Sequence, residues 1–472
     1  MNQLARVIVA VLGAVSAIVS TGCGGGTSRP TPAPSPPPKS AVPTPTVLRT
    51  LYRVVANGTD RMTTIGPNER IAYPLEGQVY YVPDQSANGR STLNRVVNSS
   101  GTDHADATGS VNGYTQDLVL GFPWSSASIP GVTQLTEAFD STTGDYALLS
   151  PSETLSGYNP QPLTAYGYPR YGNASEMLLS LSAGGATVES NEIAGGTTWR
   201  WFWNGVQFLN HADYGREIQG AFYYPPGQDL NPNEAGDGLT FPDLDPSIRH
   251  GSPVLQFANQ GTTQVTRAVP LNWDPAIFGG DQDHPVIWDS LVLGKDLTLN
   301  FNNLGAVAQY TTHLVIPIAS RGTLADPAGY LLSSFNRYWT YDARSKTRQE
   351  VTNAMPDGCL SLNGSSFGGY SFFVDSGGII MSDASGTNAM GVYGVSIAHG
   401  GSLSYFAMWK FFCWGDGPSE TASDTTAWSA VSGNGTDVLF PAGESTYNVY
   451  LITDSVQNVT ARMDDLFQLG VK

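Results

Sequence analysis

Short apolar runs broken by turn residues recur along most of this chain, a rhythm that predicts strands, and a helical stripe appears only near the C-terminus. Trp201-Phe202-Trp203, Asn204-Gly205 and Val206-Gln207-Phe208-Leu209 read as a hairpin on a type I′ turn. From Arg216 onward, alternation places Arg216, Ile218, Gly220, Phe222 and Tyr224 on one face of a strand and Glu217, Gln219, Ala221 and Tyr223 on the other. Further strands are expected from Met177, at Leu297–Phe301, His313–Pro317, Tyr370–Val374, Gly378–Met381, Gly391–Ile397 and Tyr447–Ile452. Past Asp454, a candidate cap, Val456, Val459, Met463 and Leu466 recur at helical spacing, which predicts an amphipathic helix packed on the sheets.

Over the first part of the chain a longer period lies on top of the strand rhythm. Leu51-Tyr52-Arg53-Val54-Val55 recurs as Leu93-Asn94-Arg95-Val96-Val97 and, more weakly, as Leu135-Thr136-Glu137-Ala138-Phe139, at a spacing of 42 residues. Each opening leads to an acidic turn bearing Asp60, Asp103 or Asp145, then to Tyr-x-x-polar at Tyr73 to Glu76, Tyr114 to Asp117 and Tyr158 to Gln161. Units this small do not bury a core singly, so three of them are expected to close about a pseudo-threefold axis as a β-trefoil-like domain. The pattern resembles short secreted repeats reading Leu-Tyr-Arg, Asp-His and Tyr-x-x-Glu-Gly that are appended to bacterial exported enzymes. The resemblance implies that Asp60, Asp103 and Asp145 bind sugar hydroxyls beside an aromatic ring; the residues alone equally allow them to cap their own turns.

The N-terminus adds an address. A single Arg6 precedes the apolar run Val7 to Val19 and the small residues Ser20-Thr21-Gly22, the parts of a secretory signal, and the run is shorter than a permanent span of roughly 20 apolar residues. Ser20 to Cys23 resembles a bacterial lipoprotein cleavage box, although Ser20 stands where that box usually carries Leu; it implies lipidation at Cys23, and ordinary secretion with an incidental cysteine is the alternative. Gly24 in place of Asp implies delivery to the outer membrane. The expected layout is a signal peptide over 1–22, a lipid-anchored Pro/Ser/Thr-rich linker over 23–47, the three-repeat domain over 48–171 and a second β domain over 172–472.

Composition narrows the partners. Charged residues make up 13% of the chain with a formal net charge of −17, and no basic stripe is present, which excludes nucleic acid as an expected partner. In an exported chain, Cys359 and Cys413 either form a disulfide worth roughly 4 kcal/mol in the chain-entropy model or stay as two buried thiols.

In the second domain, the hairpin ending in Phe208-Leu209-Asn210-His211, the following Gly215-Arg216-x-x-Gln219, and Phe440-Pro441-Ala442-Gly443-Glu444 before a late strand resemble galactose-mutarotase-like supersandwich domains. Such domains occur in sugar epimerases and as parts of polysaccharide lyases and glycosidases. The fold class expected is therefore all-β: an N-terminal β-trefoil-like domain, then a large antiparallel β-supersandwich with a C-terminal helix.

Three loops concentrate polar residues: one bearing His211, Asp213, Arg216 and Glu217, one bearing Glu234 and Asp237, and one running from Asp281 to Trp288 with Asp283 and His284. Breaking or epimerising a sugar needs a proton acceptor, a proton donor and a group that orients hydroxyls or a carboxylate. His211, Glu217, Glu234 and His284 are the catalytic candidates, and Asp213, Arg216, Gln219, Asp237, Asp283 and Trp288 the substrate-binding ones. Hydrogen-bonded hairpin and ion-pair roles for His211 and Arg216, and solvated loop charges at Glu234 and Asp237, are the structural alternatives. Gly280-Asp281-Gln282-Asp283 lacks the terminal Glu of a calcium loop, so structural calcium is a minor alternative and no cofactor is expected. No nucleophile elbow, phosphate loop, zinc helix or dinucleotide fingerprint occurs. These readings converge on an envelope-anchored, carbohydrate-active protein, a glycoside hydrolase or polysaccharide lyase with an attached glycan-binding domain. The alternatives are a non-catalytic lipoprotein that holds glycan or peptidoglycan at the cell surface, and a structural or adhesive surface protein without sugar specificity.

Overall fold

The computed structural model describes residues 45–151, 153–170, 178–192, 194–211, 217–224, 228–231, 251–272, 279–280, 284–288, 290–355, 370–372, 377–394, 405–412, 414–422, 424–432 and 438–471. Cys23, Asp213, Arg216, Glu234, Asp237, Asp281, Asp283, Cys359 and Cys413 lie outside them. The described chain is built of antiparallel strands, with one long helix at its C-terminal end. No helix among the described residues is long and apolar enough to cross a membrane.

The first domain holds three units of three strands, the first strand of each lying in the middle. Strand β1 (Thr46–Ala56) pairs with β2 (Asp60–Thr64) and, after a short helix α1 (Pro67–Ala72), with β3 (Leu75–Pro83). In the same way β4 (Leu93–Asn98) pairs with β5 (His104–Ala107) and β6 (Tyr114–Gly121), and β7 (Thr133–Asp140) with β8 (Asp145–Leu149) and β9 (Tyr158–Pro169). The register between first and third strands slips beside the repeated leucine each time, between Leu51 and Tyr52, Leu93 and Asn94, and Gln134 and Thr136. Leu51, Leu93 and Leu135, all fully buried, meet in one core with Tyr80, Leu120 and Ala165, which is why the repeat keeps an apolar residue there. The short strands β2, β5 and β8 touch one another. The pairing gives three three-stranded units, of which the first and third are also joined where Tyr80 and Tyr81 pair with Pro169 and Tyr168; it does not establish a β-trefoil.

The second domain is two antiparallel sheets over one core. The first runs in spatial order through Leu178–Ala183, Ala186–Asn191, Thr197–Trp203, Ile218–Tyr224, Ser320–Leu332, Thr425–Ser432, Tyr405–Phe411 and Tyr370–Phe372. The second has nine strands, with Val292–Thr298, Val307–Ile316 and Gly443–Asp454 in succession within it. Val188, Trp201, Phe222, Leu324 and Trp428 of the first sheet interdigitate with Leu293, Tyr310, Leu314, Val392 and Val449 of the second. The hairpin after Trp203 turns on Asn204 and Gly205, both at positive φ (48° and 79°), the backbone a type I′ turn demands.

Helix α2 (Val456–Gln468) lies on the outer face of the nine-stranded sheet, where Val456, Val459, Met463 and Leu466 pack on Tyr341, Ile380, Tyr393, Tyr450 and Ile452. Its cap is Ser455, whose side chain accepts from Asn458 N, and not Asp454 as the sequence suggested. Asp454 sits one residue early and accepts instead from Ser455 N and the Asn458 side chain.

The halves join through a shared core. Strand β1 starts at Thr46, inside the segment expected as linker, and pairs Thr46 and Val47 with Ile287 and Val286. Leu48, Tyr81, Trp124, Val132 and Tyr168 then pack on Val269, Leu271 and Ile287, and Tyr81 Oη donates to Gly251 O at 3.2 Å.

Candidate functional site

His211 follows directly on the hairpin and is locked by its neighbours. Leu209 bridges to Leu331, Asn210 N donates to Tyr330 O, and the fully buried Asn210 side chain donates to Ala422 O at 2.8 Å and Asp424 O at 3.3 Å. These bonds fasten the turn around residue 420 against the hairpin, and His211 N donates to Glu420 O. The imidazole Nε2 then meets Glu420 Oε2 at 2.6 Å. Arg200 Nε donates to the same oxygen at 2.9 Å while its Nη1 stands 3.5 Å from Glu189. Trp199 stacks on the imidazole, with 4.8 Å between centroids and 21° between planes. Burial works to raise the Glu420 pKa, but the hydrogen bonds from His211 and Arg200 outweigh it and hold the carboxylate below its ordinary range. The result is an ionised carboxylate orienting a histidine at the domain surface.

The arrangement sits at one end of a distinctive face. On the side of the first sheet turned away from the main core, the rows Ala221, Ala325, Val431 and Tyr405 run across four strands. Ala407, Trp409, Phe411 and Ala427 belong to the same cluster, with Tyr223 and Tyr330 half-buried at its edge. The eight residues of the cluster are buried, so only the half-buried rings of Tyr223 and Tyr330 at its edge are within reach of a ligand. Tyr330, whose carbonyl accepts from Asn210, links this face to His211.

The candidates read from sequence do not all gather here. Glu217 is not the partner of His211. It has φ 54°, is fully buried, and takes a 3.1 Å hydrogen bond from Thr197 Oγ1. A left-handed residue breaks the two-residue alternation on which a side-by-side Glu217 and Gln219 depended. Its main chain is fixed by Glu217 N to Asn210 O and Tyr330 N to Glu217 O, which hold that unfavourable conformation in place. Gln219 is buried in the neighbouring strand. Trp288 is 2% exposed within the main core, so its ring is spent on packing and not on a ligand. His284 stands at the junction of the two domains, 4.0 Å from Asp84. Glu420, Arg200 and Trp199 were missed; Arg200 and Trp199 carry a faint signal as a charge and an aromatic beside the hairpin, Glu420 none.

In the first domain, Asp60, Asp103 and Asp145 are not three separate surface sites. They converge where the three units meet, with one oxygen of each within 4.8 Å of the others. Asp60 accepts from His104 N at 3.1 Å and faces His104 Nδ1 at 2.7 Å. Asp145 accepts from Arg61 N at 3.0 Å and from Tyr158 Oη, and Asp103 from Tyr114 Oη. Each of Asp60 and Asp145 thus grips the backbone of the following unit, capping across units and not within its own turn. Burial raises the pKa of Asp103 and Asp145, with the Asp60 charge adding to the rise. Asp60 and Asp145 are occupied by protein donors and both are only 4% exposed, so the cluster presents little surface to vicinal hydroxyls.

No family model matches this sequence, and no curated protein matches it. Solved structures do. A putative aldose 1-epimerase from Escherichia coli K12 shares 9% identity, covering 59% of this chain and 99% of its own with a TM-score of 0.32. A galactose mutarotase-like protein from Lactobacillus casei gives 9%, 59%, 99% and 0.34. A 4-alpha-glucanotransferase from Thermococcus litoralis gives 8% identity over 59% of this chain and 37% of its own, with a TM-score of 0.27. Likenesses this distant leave activity to be read from the chain's own side chains.

Proposed function

We propose that this chain is an envelope-anchored protein that acts on a polysaccharide, with the second domain as the acting part. One observation carries the reading: a histidine held by an ionised carboxylate and stacked on the half-buried ring of Trp199. In this reading His211 exchanges a proton with the sugar, Glu420 fixes its orientation, Arg200 holds Glu420, and the rings of Trp199, Tyr223 and Tyr330 take up the sugar faces. Anchoring rests on the apolar run Val7 to Val19 and on Cys23. The separation of Glu217 and His284 from His211 favours a second reading, glycan binding without turnover.

Incubation with a panel of bacterial and plant polysaccharides, followed by reducing-end formation and ultraviolet absorbance of unsaturated ends, tests the proposal. Turnover is expected to fall at least about a hundredfold in His211→Ala and in Glu420→Gln while the unfolding midpoint holds. Retention of glycan without turnover would select the second reading, and no interaction across the panel would reject both.

A further inference from the structure

The three seams between repeat units are not alike. At two of them an arginine joins everything within reach. Arg53 of the first unit donates to Glu76 of its own unit at 2.6 Å, to both oxygens of Glu153 of the third at 3.0 and 2.5 Å, and to Leu148 O at 2.8 Å. Arg95 of the second unit repeats this toward the first, with Asp117 at 2.6 Å, Glu69 at 2.8 and 2.9 Å, and Thr63 O at 3.0 Å. The third seam, where the third unit meets the second, has Glu137 in the arginine position.

Three sequence positions change together there. The in-unit acid, Glu76 or Asp117 elsewhere, is Gln161, and the facing acid, Glu69 or Glu153 elsewhere, is Val111. Polarity is reversed in the contact as well: where arginines donate to the carbonyls of Leu148 and Thr63, Glu137 accepts from the amide of the equivalent residue, Asp106. That residue is itself an acid. Asp106 is 3% and Glu137 6% exposed, Thr63 Oγ1 holds Asp106 Oδ2, and Asp106 Oδ1 has no hydrogen-bond partner among the described residues. Two buried carboxylates at one seam cannot both be charged without a cation between them, and the arginine that does this at the other seams is missing.

We infer that Asp106 and Glu137 share a single proton, which takes the place of the missing arginine, so that this seam alone loosens as the pH rises. The groups around the pair are Arg95, His104 and Asp103 of the second unit, Thr63 of the first, and the hydroxyls of Tyr114 and Tyr146, all of which interact with one or other carboxylate. Burial raises both acids, and Asp106 and Asp103 raise Glu137 further. An acid raised by folding contributes stability that is complete below the ordinary carboxylate range and is lost as the pH climbs through the raised value. The arginine seams have the opposite sign.

Amide exchange of the full chain from about pH 6 to about pH 10, corrected for the intrinsic base-catalysed rate, reads each seam separately. Peptides covering His104–Ala107 and Thr133–Asp140 are expected to lose protection at least about tenfold across that range while Asp145–Leu149, under the Arg53 seam, holds. Glu137→Gln keeps an acceptor for Asp106 N and supplies an amide donor for Asp106 Oδ1, so its protection is expected to be flat with pH. The double change Glu137→Arg with Val111→Glu is expected to move the loss to the acid side. A flat wild-type profile, or an unchanged slope in Glu137→Gln, overturns the inference. Protection at high pH that returns with added calcium or potassium chloride overturns it too, by assigning the seam to a metal cation.

Discussion

The two halves of this molecule bury charge in opposite ways. In the first domain Arg53 and Arg95 meet partly exposed carboxylates through two-pronged hydrogen bonds, and the arrangement is used twice. In the second domain Lys295, 2% exposed, lies in the sandwich interior, donating to Gly196 O at 2.8 Å and Ser190 Oγ at 3.4 Å. The charges of Asp326 and Glu217 act on it as counter-charges. Burial brings Lys295 down to about 7 and Asp326 up to about 7, with each other's charge opposing the change. A repeat divides the desolvation of charge among copies at its seams, whereas a single sandwich concentrates it at one point.

The largest expected effect follows from that concentration. Lys295→Ala should cost about 3–5 kcal/mol in urea unfolding, because it strands Asp326 without a cation, and Lys295→Ala with Asp326→Asn should recover most of the loss. A loss under about 1 kcal/mol would erase the contrast. Arg95→Ala, which removes the guanidinium from Glu69, Asp117 and the Thr63 carbonyl, should cost about 2–4 kcal/mol, and Arg95→Lys about half of that because an ammonium lacks the planar fork. The pH dependence sharpens the point. Burial works to raise Glu69 and Glu153, but their bonds to Arg95 and Arg53 outweigh it and both are lowered. Their stabilisation is therefore present above the ordinary Glu value of about 4.5 and lost as pH falls through the lowered values. Arg95→Ala should flatten the acid limb of a pH-unfolding curve, whereas Lys295→Ala should not.

Changes that touch no charge serve as controls. At Gly391 an added Cβ would stand 2.3 Å from Val459 Cγ1 and 2.8 Å from Met463 Cε, so Gly391→Ala should lift α2 and cost about 1–3 kcal/mol at any salt concentration. Ser455→Ala, which removes the cap of α2, should cost about 1 kcal/mol, the smallest of the set. A salt-dependent loss in either would mean that the helix is held by charge and not by packing.

Features written in neighbouring residues were legible before any coordinates. The I′ turn needs only Asn204 and Gly205, the stripe of α2 only its own spacing, and the common core of Leu51, Leu93 and Leu135 only the period of the repeat. Strand limits moved because pairing sets them: the run expected at Leu297–Phe301 ends at Thr298, and left-handed Asn300 and Asn302 then turn the chain into a short 3₁₀ segment. Site chemistry was much less legible. His211 and Glu420 are 209 residues apart, and no local pattern couples them. The meeting of Asp60, Asp103 and Asp145 depends on how three units close, and Glu217 lost its expected face to one positive φ.

Because Leu48, Tyr81, Trp124 and Tyr168 share a core with Val269, Leu271 and Ile287, the repeat region is no detachable cassette. Expressed alone, either half would present this apolar patch to water, and self-association would follow. The same seam couples the orientation of one half to that of the other through packing and the pairing of Thr46 and Val47 with Ile287 and Val286. Under the proposed function, a glycan gripped at one end would therefore set the attitude of the other.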